Sequence, residues 1–167
     1  IILATIGALT ILIAAMMVFP NTNMMRILSY HLVSQVGYMI LGISLGSQLA
    51  IIGGVFHIFN NIIYKSCLIL GAGSIYQVSS SFELDDMGGM AKILPITMVT
   101  FVIATLSISG IPPFNGFVSK WLIYQGIAKS SLPGWQFFLF AAVFGSVLSL
   151  SAFIKQMQSA FFQYESK

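Results

Sequence analysis

His57, Asn61 and Lys65 lie four residues apart in the stretch FHIFNNIIYKSCLIL, Phe56–Leu70. Side chains at that spacing stack on one side of a helix, so the three form a polar stripe, with Asn60 and Tyr64 beside it. A hydrogen-bonded file of water needs such a row of donors and acceptors along its wall, and histidine takes up and releases protons near neutral pH. Alone, His57 reads as a core histidine with satisfied hydrogen bonds; the stripe as a whole points to proton movement. A second lysine, Lys120, follows a run of two prolines and two glycines in SISGIPPFNGFVSK, Ser107–Lys120.

The surrounding medium sets the energy scale. Of 167 residues, 57% are hydrophobic and 7% charged, against about a quarter charged in soluble domains. With a mean hydropathy of +0.95, the chain reads as an integral membrane protein whose first partner is the lipid bilayer. A lysine at the centre of a spanning helix costs roughly 2.5–3.5 kcal/mol, so it needs polar neighbours, a wet cavity or a neutral form. Snorkelling to the interface is the bland alternative, but apolar runs on both sides of Lys65 disfavour it. The pI near 9.1 rests on a net charge of only +3; it bears on orientation in the bilayer and implies no nucleic-acid partner. A single cysteine, Cys67, rules out an internal disulfide or a cysteine cluster. One cysteine, two histidines and no phosphate-cradling glycine loop give no seat for a flavin, haem or iron–sulfur cluster, so no cofactor or metal is expected. A zinc motif or nucleophile–base pair of the usual spacing is also missing, which sets aside an intramembrane enzyme.

Helices of roughly 20 apolar residues must position these groups. The pattern predicts one all-α bundle with spans at Ile1–Phe19, Ile27–Gly46, Leu49–Val78, Ile93–Ala128 and Trp135–Met157. The second span is polar at its start (Ser29, His31, Ser34, Gln35). The fourth is too long for one regular crossing and is interrupted at GIPPFNG. Pro112 and Pro113 interrupt the helix while Gly110 and Gly116 permit unusual dihedrals, so a restart near Gly116 or Phe117 is expected. Lys120, with Ser119 beside it as a supporting polar residue, would then fall in the first turn of the second half-helix, at the positive end of its dipole. Irregular backbone at this depth survives only when buried in protein or lining a cavity, and broken helices of this kind mark ion sites in transporters. A simple proline kink is the alternative. Arg26, Glu83, Asp85, Asp86, Lys92, Lys155 and Lys167 all fall on one side of alternating spans, leaving only Lys129 opposite. The excess of Arg and Lys assigns the loops holding Arg26, Lys92 and Lys155 to the cytoplasm. The opening IILATIGALT has neither an initiator Met nor a positively charged start; it reads as the interior of a helix, so the chain is expected to be a piece of a longer one.

Three stretches carry a family resemblance: RILSYHLVSQVGYMILGISLGS, FHIFNNIIYKSCLILGAGSI and LSISGIPPFNGFVSKWLIY. They are similar to the antiporter-like membrane subunits of Mrp cation/proton antiporters, respiratory complex I and membrane-bound hydrogenases. The resemblance implies one five-helix inverted repeat, with a discontinuous helix, of a subunit of about fourteen helices. It implies that Lys65 matches the buried lysine of the second half-channel. Lys120 matches the charged residue of the broken helix that ends the proton path, and His57 a histidine relaying protons between them. Asn61 stands where many members carry a second histidine, and Met25 where many carry a lysine. Lysine in GIPPFNGFVSKW is closest to the Mrp and hydrogenase branch, and one complex I subunit carries glutamate there.

The resemblance therefore implies a non-catalytic subunit translocating protons, or sodium in exchange for protons, within a larger redox-driven or Mrp-type complex. Its partners would be other membrane subunits, in a cell, inner or organellar membrane. The alternative is a structural membrane subunit whose relictual channel does not conduct, with both lysines locked in fixed hydrogen bonds.

Overall fold

The computed structural model describes residues 1–162; Lys167 lies outside the described residues. The chain is all-α. Helices α1 (Ile2–Met17), α2 (Met24–Ser44), α3 (Gln48–Ser79), α4 (Met90–Ile93), α5 (Pro95–Ser109), α6 (Asn115–Ala128) and α7 (Trp135–Met157) follow in order. A short 3-10 turn covers Leu84–Asp86 and a π turn Gln158–Phe162. In lipid every backbone amide must be satisfied within its own segment, which leaves helices as the form open to such apolar sequences. Among the described residues α2, α3 and Trp135–Phe162 are long and apolar enough to cross a membrane, while α1 and α5 are shorter apolar helices.

The fourth predicted span holds two helices, α5 and α6, and begins at the last residue of the short α4. The chain turns at Leu94 between α4 and α5, and Pro95 opens α5, where its missing N–H costs nothing. Gly110, at φ +80°, ends α5 in the left-handed conformation. The amides of Gly110 and Ile111 bond back to the carbonyls of Ser107 and Leu106 at 3.0 and 3.1 Å. The Pro112–Pro113 bond is cis. The helix restarts at Asn115, a residue earlier than expected, where the Asn115 side chain accepts from the Gly116 amide at 3.1 Å. Lys120 is consequently the sixth residue of α6, in its second turn and past the four free amides at its N-terminus. The expected first-turn placement is corrected.

Packing produces two apolar layers with a polar one between them. At one end Val18, Met24, Leu28, Leu68, Ile75, Phe101, Ile108 and Phe153 join a single buried cluster. At the other, Ala8, Ile11, Tyr38, Leu41, Ala50, Ile123, Phe138 and Ala142 form the second. Small residues let the backbones approach, as in membrane helices generally. A Cβ on Gly37 would meet the Gly7 carbonyl oxygen at 2.8 Å, and one on Gly126 would collide with Ala50. Between the clusters α2, α3, α5, α6 and α7 carry polar residues: His31, Ser34 and Gln35 in α2, His57, Asn60 and Asn61 in α3, Ser107 through Lys120 across the break, Ser146 and Ser149 in α7.

One end of the bundle is closed by a backbone clasp. Asn23 caps α2 by accepting from the Met25 and Arg26 amides at 3.1 and 3.3 Å. Its amide group donates to Glu83 at 2.8 Å, and the Thr22 hydroxyl donates to the other Glu83 oxygen at 2.8 Å. The Met24 amide donates to Phe82 and the Leu84 amide to Thr22. The connections before α2 and after α3 thus share one face, as the alternation of spans requires. Asp85 and Asp86 are exposed on that face.

Hydrogen bonds from Asn23 and Thr22 hold the Glu83 carboxyl below its ordinary value of 4.5. A depressed carboxylate contributes fully above that value and loses its contribution as pH falls through the folded-state value. Glu83→Ala is therefore expected to lower hydrogen-exchange protection of the Met24 and Leu84 amides at neutral pH. The wild type should lose the same protection only on acidification below 4.5; equal protection in both proteins would show that the carboxylate does not hold the clasp. At the helix break, a Cβ on Gly116 would fall on the Ser107 carbonyl. Gly116→Ala should cost about 1–3 kcal/mol by overpacking, seen as a lower midpoint of thermal unfolding in detergent, and an unchanged midpoint would refute the close approach.

Candidate functional site

The polar layer is assembled from five helices, α2, α3, α5, α6 and α7, each supplying specific side chains. The stripe on α3 is buried along its length: His57 is fully buried, and Asn60, Asn61, Tyr64 and Lys65 are between 2 and 6% exposed. Lys65 therefore does not snorkel. Its Nζ donates to the carbonyl oxygen of Leu28 on α2, an oxygen inside a helix whose second lone pair is available.

His57 occupies the middle of the layer. Its Nδ1 lies 2.9 Å from the Ser119 hydroxyl and its Nε2 lies 3.0 Å from Gln35 Oε1. The Tyr64 hydroxyl lies 3.5 Å from the same Nε2. With Gln35 Oε1 only accepting, Nε2 carries the proton and Nδ1 accepts from the Ser119 hydroxyl in the neutral ring. Ser119 also lies 3.1 Å from the Gly116 carbonyl. The imidazole thus touches the residue before Lys120 and the residue before Lys65, and neither ammonium directly.

Lys120 is 1% exposed, and its Nζ donates to Ile108 O at 2.8 Å and Ser146 Oγ at 3.2 Å. Ile108 is the penultimate residue of α5, so its carbonyl is one of the four that a helix leaves without an intrahelical partner. An ammonium there satisfies it and meets the negative end of the α5 dipole. The dipole that governs Lys120 is therefore that of the half-helix before the break, not the one after it. The Tyr38 ring lies 4.7 Å from Nζ on its face, adding a cation–π contact. Ser146 is shared: Tyr38 and Tyr124 hydroxyls lie 2.9 and 2.7 Å from its oxygen. A Cβ on Gly110 would come within 2.9 Å of Lys120 Cδ, so the glycine both ends α5 and leaves room for the lysine stem.

The break is pinned to the stripe by a pair of amides. Asn60 Nδ2 donates to the Asn115 carbonyl at 3.1 Å, and Asn115 Nδ2 returns a bond to Asn60 Oδ1 at 2.9 Å. Ser107 donates to the Asn115 side-chain oxygen across the gap. Irregular backbone at mid-depth is thereby satisfied within the protein, as the hydrocarbon demands.

The structure brings His57, Tyr64 and Ser119 into one hydrogen-bonded group and sets Lys65 and Lys120 at its two flanks. Gly110, Pro112, Pro113 and Gly116 lie at the break between α5 and α6. Asn61 is buried, with its Oδ1 free of any protein partner among the described residues; it does not join the His57 group. Sequence reasoning missed Gln35, Tyr38, Tyr124, Asn115 and Ser146 as partners. His31, Gln35 and Tyr38 recur at helical spacing on α2, a signal that could have been used. Nothing in the sequence separates Ser146 from the other serines of α7, Ser149 and Ser151. The acidic groups among the described residues, Glu83, Asp85 and Asp86, all lie in the connection after α3, so the layer holds amines, imidazole, amides and hydroxyls.

This arrangement can be set beside known proteins. Residues 1–149 match the model of the family described as NADH:quinone oxidoreductase/Mrp antiporter, TM. An uncharacterized protein of Methanocaldococcus jannaschii is 34% identical over 163 residues, 98% of this chain and 32% of its own. A Na(+)/H(+) antiporter subunit of Alkalihalophilus pseudofirmus is 38% identical over 118 residues, covering 71% of this chain and 24% of the relative. In the solved Mrp complex from Dietzia sp. DQ12-45-1b, one chain superposes with a TM-score of 0.89 at 27% identity, over 98% of this chain and 30% of that one. The chain thus spans between 24 and 32% of the length of the two curated relatives. On this match, continuous over most of its length, the chain belongs to the antiporter-like membrane subunits of the NADH:quinone oxidoreductase/Mrp antiporter family.

Proposed function

We propose that this bundle moves protons across the membrane through its polar layer, as part of a larger subunit within a multi-subunit complex. The observation that carries the reading is the placement of His57 between the two buried lysines, bonded to Ser119 on one side and within reach of Tyr64 on the other. Lys65 and Lys120 act as the sites that hold and release the proton, and His57 with Ser119 and Gln35 acts as the exchange point between them. Two like charges in one poorly screened layer repel, so a proton arriving at Lys65 favours release at Lys120. Asn61 contributes a free carbonyl oxygen to the wall of the path. Pro112, Pro113 and Gly116 open the helix so that α5 ends inside the layer, where its terminal carbonyl receives the Lys120 ammonium.

Protons fit the layer better than sodium. Among the described residues no carboxylate is buried there, and the carbonyl end of α5, the kind of site that holds sodium in broken-helix transporters, is taken by an ammonium. The driving force would come from partner subunits, through redox chemistry or a cation gradient. The face with Arg26, Glu83 and Lys92 is assigned to the cytoplasm on its excess of basic residues.

A second reading has one observation in its favour. Both ammonium groups donate to backbone carbonyls, of Leu28 and of Ile108, and a lysine held by such bonds can serve as a structural strut in a subunit that does not conduct. The two readings separate in sealed vesicles carrying the whole complex in sodium-free medium. Lys65→Ala and Lys120→Ala should each cut proton translocation at least twofold while assembly and partner turnover persist. Unchanged translocation in assembled variants would make both lysines struts and end the proton-path reading.

A further inference from the structure

The His57 group leaves part of the polar layer unexplained. His31, on α2, is fully buried, and both its ring nitrogens lack a protein hydrogen-bond partner among the described residues. Its ring stacks on Phe153 of α7, with centroids 4.1 Å apart and planes 13° from parallel. On α7, Ser149 precedes Phe153 by four residues and Gln156 follows it by three, so all three share one face. Ser149 and Gln156 are also fully buried. The Ser149 hydroxyl and both polar atoms of the Gln156 amide find no protein partner among the described residues either. Five polar atoms in this condition around one ring are unusual, because buried polar groups are paired with protein or with ordered water.

Position gives the cluster a direction. Leu28, whose carbonyl receives the Lys65 ammonium, lies one helical turn from His31, on the same face of α2. Gln156 is the next-to-last residue of α7, and the π turn that follows it packs against α4 and the Leu84–Asp86 turn. The row Gln156, His31, Lys65 therefore runs from the face bearing Glu83 inward to the α3 stripe.

We propose that His31, with Gln156 and Ser149, forms a water-bridged branch carrying protons between Lys65 and the Glu83 face, with His31 as the exchanging group. The branch rests on the proton-translocation reading and supplies what that reading leaves open, the route by which Lys65 exchanges with one side. Imidazole is suited to the task because one nitrogen can accept while the other donates. The stacking on Phe153 holds the ring plane fixed. The serine and the amide offer donor and acceptor atoms on either side of the ring along α7.

Two measurements in the assembled complex test it. In sealed vesicles, His31→Leu should reduce proton translocation at least threefold with partner turnover retained, and His31→Gln should recover less than half. Lys65→Ala is run alongside. Normal translocation by His31→Leu while Lys65→Ala fails overturns the branch alone, whereas normal translocation by both overturns the parent reading. Water access is probed separately, without reliance on transport. In a Cys67→Ala background, Ser149→Cys and Gln156→Cys should react with a charged methanethiosulfonate added from the Glu83 face at least tenfold faster than Val147→Cys. Val147 points outward from the same helix and is 57% exposed. Reaction at or below the Val147→Cys rate at both positions would show the row to be dry and would overturn the proposal.

Discussion

The bundle depends on one constraint: a helix that ends in the middle of a membrane leaves carbonyls with no water to receive, and something inside the protein must donate to them. At the end of α5 the donors are the Gly110 and Ile111 amides and, for Ile108, the ammonium of Lys120. The lysine and the break thus solve each other's problem. An ammonium costs several kcal/mol at membrane depth, and free carbonyls at the end of a helix dipole provide a favourable place for it. The amide pair of Asn60 and Asn115 fastens the break to α3, so the position of Lys120 relative to the α3 stripe is fixed by side-chain hydrogen bonds as well as by packing.

The same constraint explains the layering. The polar segments of α2, α3, α5, α6 and α7 meet where Gly7, Gly37, Gly53 and Gly126 allow close contact between helices. A shift of one helix by a turn would set polar residues against an apolar layer. Register here therefore serves the chemistry directly: it is what brings Gln35 of α2, His57 of α3 and Ser119 of α6 within hydrogen-bond distance. Apolar clusters on either side separate the polar layer from both ends of the bundle.

Much of this was legible in the sequence. The polar stripe of α3, the interruption at GIPPFNG, the two lysines at depth and the shared face of Arg26 and Glu83 all follow from spacing and from the cost of charge in hydrocarbon. Local hydrogen bonding was less legible. Asn115 starts α6 one residue early because its own side chain accepts from the next amide, and that single residue moves Lys120 from the first turn into the second. The dipole acting on Lys120 accordingly changed from that of the following half-helix to that of the preceding one, a tertiary fact that no spacing reveals. Ser146, one of three serines in α7, is a partner of Lys120, Tyr38 and Tyr124 only because α7 crosses at that height. His31 was visible as a polar residue in the second span, but its stacking on Phe153, and its two nitrogens without a protein partner among the described residues, depend on how α2 and α7 meet.

The central claim is that the layer between the two lysines is a hydrated path rather than a set of fixed struts. A structure of the whole complex at a resolution that shows ordered water tests it most directly. The account predicts waters at hydrogen-bond distance from Lys65, the Asn61 carbonyl oxygen and the His57 group, joined in a chain that reaches Lys120. A layer filled by side chains alone, with each ammonium bonded to its backbone carbonyl and no water between them, would contradict it.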